Sequence, residues 1–175
     1  MNGRMVTDKR NMALTNVEVL LVSSNGDHPT IERMFSHTRW HLFTCDRIAD
    51  AVSVIHSRPI GVVICRDTVA DGSWEDLVSR INIDLNAPKV IVASEEPSTK
   101  LWNSVVQAGA DYVLGIPFSS FDVLRSIGDA WHRWWFTRVR EARFDIAAVS
   151  DRSAGHRPER KRSQQIITRV AGQLA

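Results

Sequence analysis

Short apolar runs alternate with amphipathic stretches along most of the chain. Five of these runs are rich in Val, Ile and Leu and end at polar turns, a pattern that predicts β-strands. They cover Val17–Val22, Trp40–Cys45, Ile60–Cys65, Val90–Ser94 and Tyr112–Leu114. The third run is apolar at nearly every position, which is typical of a strand buried on both faces of a parallel sheet.

The stretches after each run place apolar residues three and four positions apart, the spacing of an α-helix. We expect helices from Pro29 to about His37, from a cap at Asp46 to Arg58, after the Asp71-Gly72 turn, from Ser98 to Gly109, and from Ser120 to about Ala147. Strict alternation predicts a doubly wound α/β domain of the flavodoxin type, with a parallel sheet in the order 2-1-3-4-5. Its functional site is expected at the carboxyl ends of the strands.

Composition narrows the class of protein. The chain has 175 residues, of which 43% are hydrophobic, enough for one domain with tails. We expect a flexible tail over 1–15, the domain over 16–147, and a basic linker with a short amphipathic segment over 148–175.

A net charge of +2 gives no strong attraction to nucleic acid or to an anionic membrane. No apolar run is long enough to span a bilayer, so the expected location is cytoplasmic. The only two cysteines, Cys45 and Cys65, are expected to be free thiols.

The last predicted helix carries more aromatic residues than a domain core requires. Leu124, Ile127, Trp131 and Trp134 form one apolar stripe that can pack on the sheet. Trp135, Phe136 and Val139 lie off that stripe, and the helix would be about 40 Å long. Together with Trp131, they are the residues expected to contact a second copy or a protein partner. In the alternative, the helix breaks near Arg138 and folds back.

The C-terminal tail changes in composition from Ser150 onward. Gly155 and Pro158 lie among polar residues, as in a flexible linker. Arg160-Lys161-Arg162 then precedes apolar residues at helical spacing. Such a segment could dock on a partner, on RNA or on an anionic surface, or remain solvated.

Two segments carry a family resemblance. Gln107–Phe118, which reads QAGADYVLGIPF, and Ala70–Ser73, which reads ADGS, resemble signatures of the response regulator receiver domains of two-component signalling. The resemblance covers about residues 16–133. It implies an acidic pair for Mg²⁺ after strand one, a phosphoacceptor Asp at the end of strand three, a Ser or Thr at the end of strand four, and a Lys before a cis proline after strand five.

This chain departs from that pattern at most of the reactive positions. Ser23 and Ser24 fall on the acidic pair, Arg66 on the acceptor and Ile116 on the lysine, and only Ser94 fits. Phosphoryl transfer to a protein needs a nucleophilic carboxylate, a hard cation and fixed positive charge on the oxyanion. The resemblance therefore implies an atypical stand-alone receiver. It would be neither an enzyme nor a cofactor or metal binder, and it would signal through protein contacts, with a histidine kinase among the candidate partners.

Several alternatives remain open at this point. Asp67 follows Arg66 directly and could serve as the phosphoacceptor. Asp27 could supply a metal ligand, although a solvated turn residue or a helix cap is the more common role. Arg66 could mimic an occupied site, hold Asp67 or Asp71, or be solvated. Other functions for the chain are a small α/β ligand-binding protein or enzyme that uses the crevice at the strand ends, and a nucleic-acid accessory protein that acts through its tail.

Overall fold

The computed structural model describes residues 17–82 and 87–154, with side chains described as far as Arg140. The chain divides into two units, Met1–Arg138 and Val139–Ala175. Both predicted tails lie mostly outside the described residues, and the sheet and its helices belong to the first unit as far as Arg138.

Five parallel strands form the central sheet. They are β1 (Glu18–Val22), β2 (His41–Cys45), β3 (Val62–Arg66), β6 (Lys89–Ser94) and β7 (Tyr112–Gly115). Two short strands after β3, β4 (Thr68–Val69) and β5 (Gly72–Ser73), pair with each other as a separate antiparallel ribbon. The sheet order is β2-β1-β3-β6-β7. Because the ribbon lies outside the sheet, this is the predicted order of a flavodoxin-type domain, and the fold prediction is confirmed.

Five helices connect and flank the strands. They are α1 (His28–Phe35), α2 (Ile48–Ser57), α3 (Trp74–Ile81), α4 (Thr99–Ala108) and α5 (Ser120–Ala154). Local signals set several of their ends: the hydroxyl of Ser98 accepts a hydrogen bond from the Leu101 amide at the start of α4, and Gly109 ends that helix at a left-handed φ of 82°. α5 is assigned as one helix to Ala154, beyond the end near Ala147 that the pattern predicts.

The start of α2 differs from the sequence prediction. Asp46 does not cap this helix, whose N-cap residue is Arg47. Instead, the carboxylate of Asp71 accepts hydrogen bonds from the amides of Ile48 (2.6 Å) and Ala49 (3.1 Å). These bonds, the Ile48 one above all, lower the pKa of Asp71 below its ordinary value. The prediction was wrong because the cap comes from the β4–β5 turn, which is distant in sequence.

The core has one apolar cluster on each face of the sheet. All five residues of β3 are buried. Val63 and Cys65 face the cluster packed with α2, α3 and α4, whereas Val62 and Ile64 face the cluster packed with α1 and α5. Both cysteines are free, as predicted. Burial raises the pKa of Cys65 to about 12 and that of Cys45 to about 11, so both thiols stay protonated at neutral pH.

The strand register brings the predicted site residues to one edge of the sheet. Val22 pairs with Cys65, and Arg66 pairs with Ala93. The next residues, Ser23 after β1 and Ser94 at the end of β6, therefore lie beside Arg66. This carboxyl edge of the sheet is where ligands bind in open α/β folds.

Candidate functional site at the carboxyl edge

Arg66 is the central residue of this edge. It is only 5% exposed, although it carries a permanent charge. Its Nε lies 2.9 Å from Oδ2 of Asp27, and its Nη2 donates a hydrogen bond of 3.1 Å to Oε1 of Glu95. The Nε contact is an ion pair without hydrogen-bond alignment. A buried guanidinium is stable only when it is paired, and here two carboxylates compensate it.

Asp27 links Arg66 to the segment that follows β1. The Ser23 hydroxyl donates a hydrogen bond of 2.6 Å to Oδ2 of Asp27, the same oxygen that faces Arg66. Ser23 is completely buried, and the Asp27 side chain is 12% exposed. Asp27 occupies the N-cap position of α1 but makes no capping hydrogen bond. The expected solvated turn or cap is therefore replaced by an ion pair with Arg66.

Asp67 and Ser94 form a second polar contact at the same edge. The Ser94 hydroxyl donates a hydrogen bond of 2.8 Å to Oδ2 of Asp67. The other carboxylate oxygen, Oδ1, accepts from the Thr68 amide at 2.8 Å. Both oxygens of Asp67 are thus engaged. The sequence left open that Arg66 holds Asp67 or Asp71, or that it is solvated. Neither alternative is correct, because Arg66 is buried and pairs with Asp27 and Glu95.

The two remaining predicted site residues, Ile116 and Ser24, have side-chain contacts outside these ion pairs and hydrogen bonds. Ile116 is half-buried against the apolar cluster on the α1 and α5 side, and its amide donates to the Ser94 carbonyl at 2.9 Å. The Ile116–Pro117 peptide is cis, as predicted. Ser24 is exposed, and its hydroxyl donates to Oδ1 of the adjacent Asn25 at 3.3 Å. Ile116 therefore contributes packing and Ser24 a local turn contact.

Together these contacts determine what the edge can do chemically. The charge of Arg66 is already neutralised by Asp27 and Glu95. An incoming phosphoryl group would meet these carboxylates and Asp67, and Arg66 would not be free to stabilise it. Within residues 17–82 and 87–140, no three His, Cys, Asp or Glu side chains are grouped so as to hold a metal ion.

The residues expected to contact a partner are only partly exposed. Trp131 is 5% exposed and belongs to the core, so it is not available for a partner. Trp135 is half-buried and stacks on Trp131 at a centroid distance of 6.3 Å. Phe136 is 52% exposed and packs edge-on against His132. Val139, in the second unit, is half-buried.

Sequence reasoning missed the pairing of Arg66 with Asp27 and Glu95. One signal was available: both acids lie just beyond the carboxyl ends of strands adjacent to β3. Glu95 follows β6 directly, and Asp27 follows β1 by five residues. Residues beyond the ends of neighbouring parallel strands meet at one edge, so an arginine that ends the strand between them has acids within reach.

No family model and no curated protein matches this chain. Solved structures do match it. The signal receiver domain of a protein described as a Luxo repressor, from Vibrio parahaemolyticus, has a TM-score of 0.66 and 22% identity, and the match covers 72% of this chain and 98% of that one. The receiver domain of an HD domain-containing protein from Pseudomonas fluorescens has a TM-score of 0.62 and 20% identity, with coverages of 68% and 97%.

A third similar structure is described with a metal. It is the receiver domain of the sensor histidine kinase PA1611 from Pseudomonas aeruginosa, with a magnesium ion coordinated in its active-site cleft. Its TM-score is 0.59 at 16% identity, and the match covers 67% of this chain and 98% of that one. These comparisons show that the chain has the fold of receiver domains. No helix in the described part of the chain combines the length and apolar character needed to cross a membrane.

Proposed function

We propose that this protein is an atypical receiver module, which takes part in signal transduction through protein contacts and without aspartyl phosphorylation. One observation carries the proposal: the buried Arg66 takes the position that the family resemblance gives to the phosphoacceptor, and it is paired there with Asp27 and Glu95. An arginine cannot form an acyl phosphate. Its ion pairs hold the ends of β1, β3 and β6 together without a bound phosphoryl group.

The rival function is a receiver that is phosphorylated on Asp67. The hydrogen bond from Ser94 to Asp67 favours this reading, because Ser94 fits the family pattern. Ser23, Ser24 and Ile116 argue against it, since they supply neither the metal-binding carboxylates nor the lysine. Nucleophile, metal and clamp act as a unit, so one carboxylate gives little transfer by itself.

The test is the intact mass of the protein after incubation with Mg²⁺ and acetyl phosphate. We expect no mass gain for the wild type, for Asp67→Asn or for Arg66→Asp. An acid-labile gain of one phosphate in the wild type that disappears in Asp67→Asn would establish the rival function. A gain in Arg66→Asp alone would contradict the argument that the three components act together.

The protein contacts are proposed to involve the exposed part of α5 around Phe136. Burying a phenylalanine is worth roughly 1.5 to 3 kcal/mol, so a few such residues can drive association. Light scattering should show that the wild type self-associates and that Phe136→Asp weakens this association. If the contact is instead with a partner protein, Phe136→Asp should weaken binding of that partner. Phe121→Asp is a matched control, because Phe121 lies in the first turn of the same helix and is 71% exposed. Equal behaviour of both variants and the wild type would refute this surface.

A further inference from the structure

A cleft of about 320 Å³ opens at the opposite edge of the sheet, where the strands begin. It lies between the end of α2, the end of α3, the segments that enter β3 and β6, and α5. Its volume falls at the lower end of the range for small-molecule sites, about 300 to 1,000 Å³. Apolar side chains supply most of its walls: Ile55, Ile60, Ile81, Pro88 and Trp134.

Two arginines, Arg58 and Arg138, line this cleft, and each lies over an aromatic ring. The Arg58 guanidinium lies over the ring of Phe43, with its Cζ 4.5 Å from the ring centroid, and that of Arg138 lies over Trp134 at 4.7 Å. Among residues 17–82 and 87–140, no acidic residue lines the cleft. Across residues 17–82 and 87–140, no ion pair involves Arg58 or Arg138. Aromatic faces position these cations without supplying a negatively charged partner.

The walls of the cleft are held in place by the core. Ile60, Ile81 and Trp134 are each at most 5% exposed, so they belong to the packed interior as well as to the cleft. Pro59 and Pro88 lie just before β3 and β6, where proline restricts the backbone and offers no N–H group. The site is therefore largely formed before any ligand arrives, which lowers the entropic cost of binding.

We propose that this cleft binds a small organic anion, a molecule with a carboxylate or phosphate group on an apolar body. The anionic group would accept hydrogen bonds from the guanidinium groups of Arg58 and Arg138, because the planar guanidinium can donate two parallel N–H bonds to a carboxylate or a phosphate. The apolar body would lie against Ile60, Ile81 and Trp134. This proposal is independent of the phosphorylation chemistry, because the cleft and Arg66 lie at opposite ends of the strands.

The test uses calorimetric titration with three probes of one shape: 1-naphthylacetate, 1-naphthyl phosphate and the neutral 1-naphthylacetamide. We expect at least one anion to bind at least tenfold more tightly than the amide. In the double variant Arg58→Gln/Arg138→Gln, this preference should fall at least tenfold. Stronger binding of the acetate identifies a carboxylate ligand, and stronger binding of the phosphate identifies a phosphate ligand.

Two further variants complete the experiment. Arg39→Gln/Arg140→Gln removes the same charge from exposed residues outside the cleft, so it should bind like the wild type. Ala87→Phe should fill the cleft and abolish binding, which provides an answer even where the arginine variant is poorly folded. The proposal is overturned if neither anion binds, if the amide binds as well as the anions, or if both double variants lose binding equally.

Discussion

The two edges of the sheet place arginines in opposite circumstances. At the carboxyl edge, Arg66 is buried and paired with Asp27 and Glu95. At the amino edge, Arg58 and Arg138 lie against aromatic rings in an open cleft, and no acid in the described part of the chain lines it. The arginine side chain is thus a structural cross-link at the carboxyl edge, whereas at the amino edge it has no ion pair within residues 17–82 and 87–140. The presence of an arginine does not indicate a binding site until its carboxylate partners are known.

The largest expected loss of stability follows from removing the ion pairs of Arg66 at the carboxyl edge. Arg66→Met should lower the free energy of unfolding by about 3 kcal/mol, because it leaves the Asp27 carboxylate without its cation at a poorly solvated site. Urea unfolding measures this loss. Adding Asp27→Asn should recover at least about 1 kcal/mol, since the stranded charge is then removed. If the double variant is the less stable of the two, the stranded charge is not the cause.

The next largest loss of stability is expected from disturbing the packing of Gly61 against two tryptophans at the amino edge. A Cβ at Gly61 would overlap the ring of Trp131 and lie 2.9 Å from Cε3 of Trp134. Gly61→Ala should therefore lower the unfolding free energy by about 2 to 3 kcal/mol. Gly128→Ala is the matched control: nothing lies within 4 Å of its Cβ, so it should stabilise α5 by about 0.5 to 1 kcal/mol. Equal effects of the two changes would show that the tryptophan packing does not constrain Gly61.

A smaller effect concerns the loop beside the carboxyl edge. Asp71 has a pKa below 3.8 in the folded protein, because its carboxylate accepts hydrogen bonds from Ile48 and Ala49. This stabilisation is present above pH 3.8 and is lost as the pH falls through the folded pKa. Asp71→Asn should thus be less stable than the wild type at pH 7, and the difference should narrow in acid. Glu32→Gln removes an exposed carboxylate on α1, away from the Asp71 turn, and should show no such pattern.

The smallest expected loss of stability distinguishes the contribution of Glu95 from that of Asp27, the other partner of Arg66. The Glu95 side chain is 70% exposed, so its ion pair is screened by water and salt. Glu95→Gln should cost at most about 0.5 kcal/mol, and less at high salt. Glu96→Gln changes the same charge one residue away and should have no effect beyond error. A loss from Glu95→Gln as large as that from Arg66→Met would make Glu95 the dominant partner.

The strands and helices could be predicted from the sequence because burial requires apolar residues, in continuous runs for a strand buried on both faces and at helical spacing for a helix. β3 is apolar at every position but its last, and α3 buries Trp74, Leu77, Val78 and Ile81 at helical spacing. The partners of polar residues were harder to predict. Asp46 is the nearer acid to the start of α2, yet Asp71 supplies the cap from a separate turn. Loop paths carry no periodic signal, so contacts between loops depend on tertiary geometry.

The cleft at the amino edge was also outside the reach of sequence reasoning. Arg58 and Arg138 are 80 positions apart in the chain, and neither is part of a motif. Only the packing of α2 and α5 on the same edge brings both of them to one opening. A site assembled from element ends becomes visible only when the fold is known.

The comparison of the two edges is tested most directly by amide NMR shifts of the wild-type protein in two titrations. With Mg²⁺ and acetyl phosphate, the amides of Ser23, Asp67 and Ser94 should not shift. With 1-naphthylacetate or 1-naphthyl phosphate, the amides of Ile60 and Ile81 should shift while those at the carboxyl edge stay in place. Saturable shifts of Asp67 and Ser94 in the first titration, with no response of Ile60 and Ile81 in the second, would contradict the account.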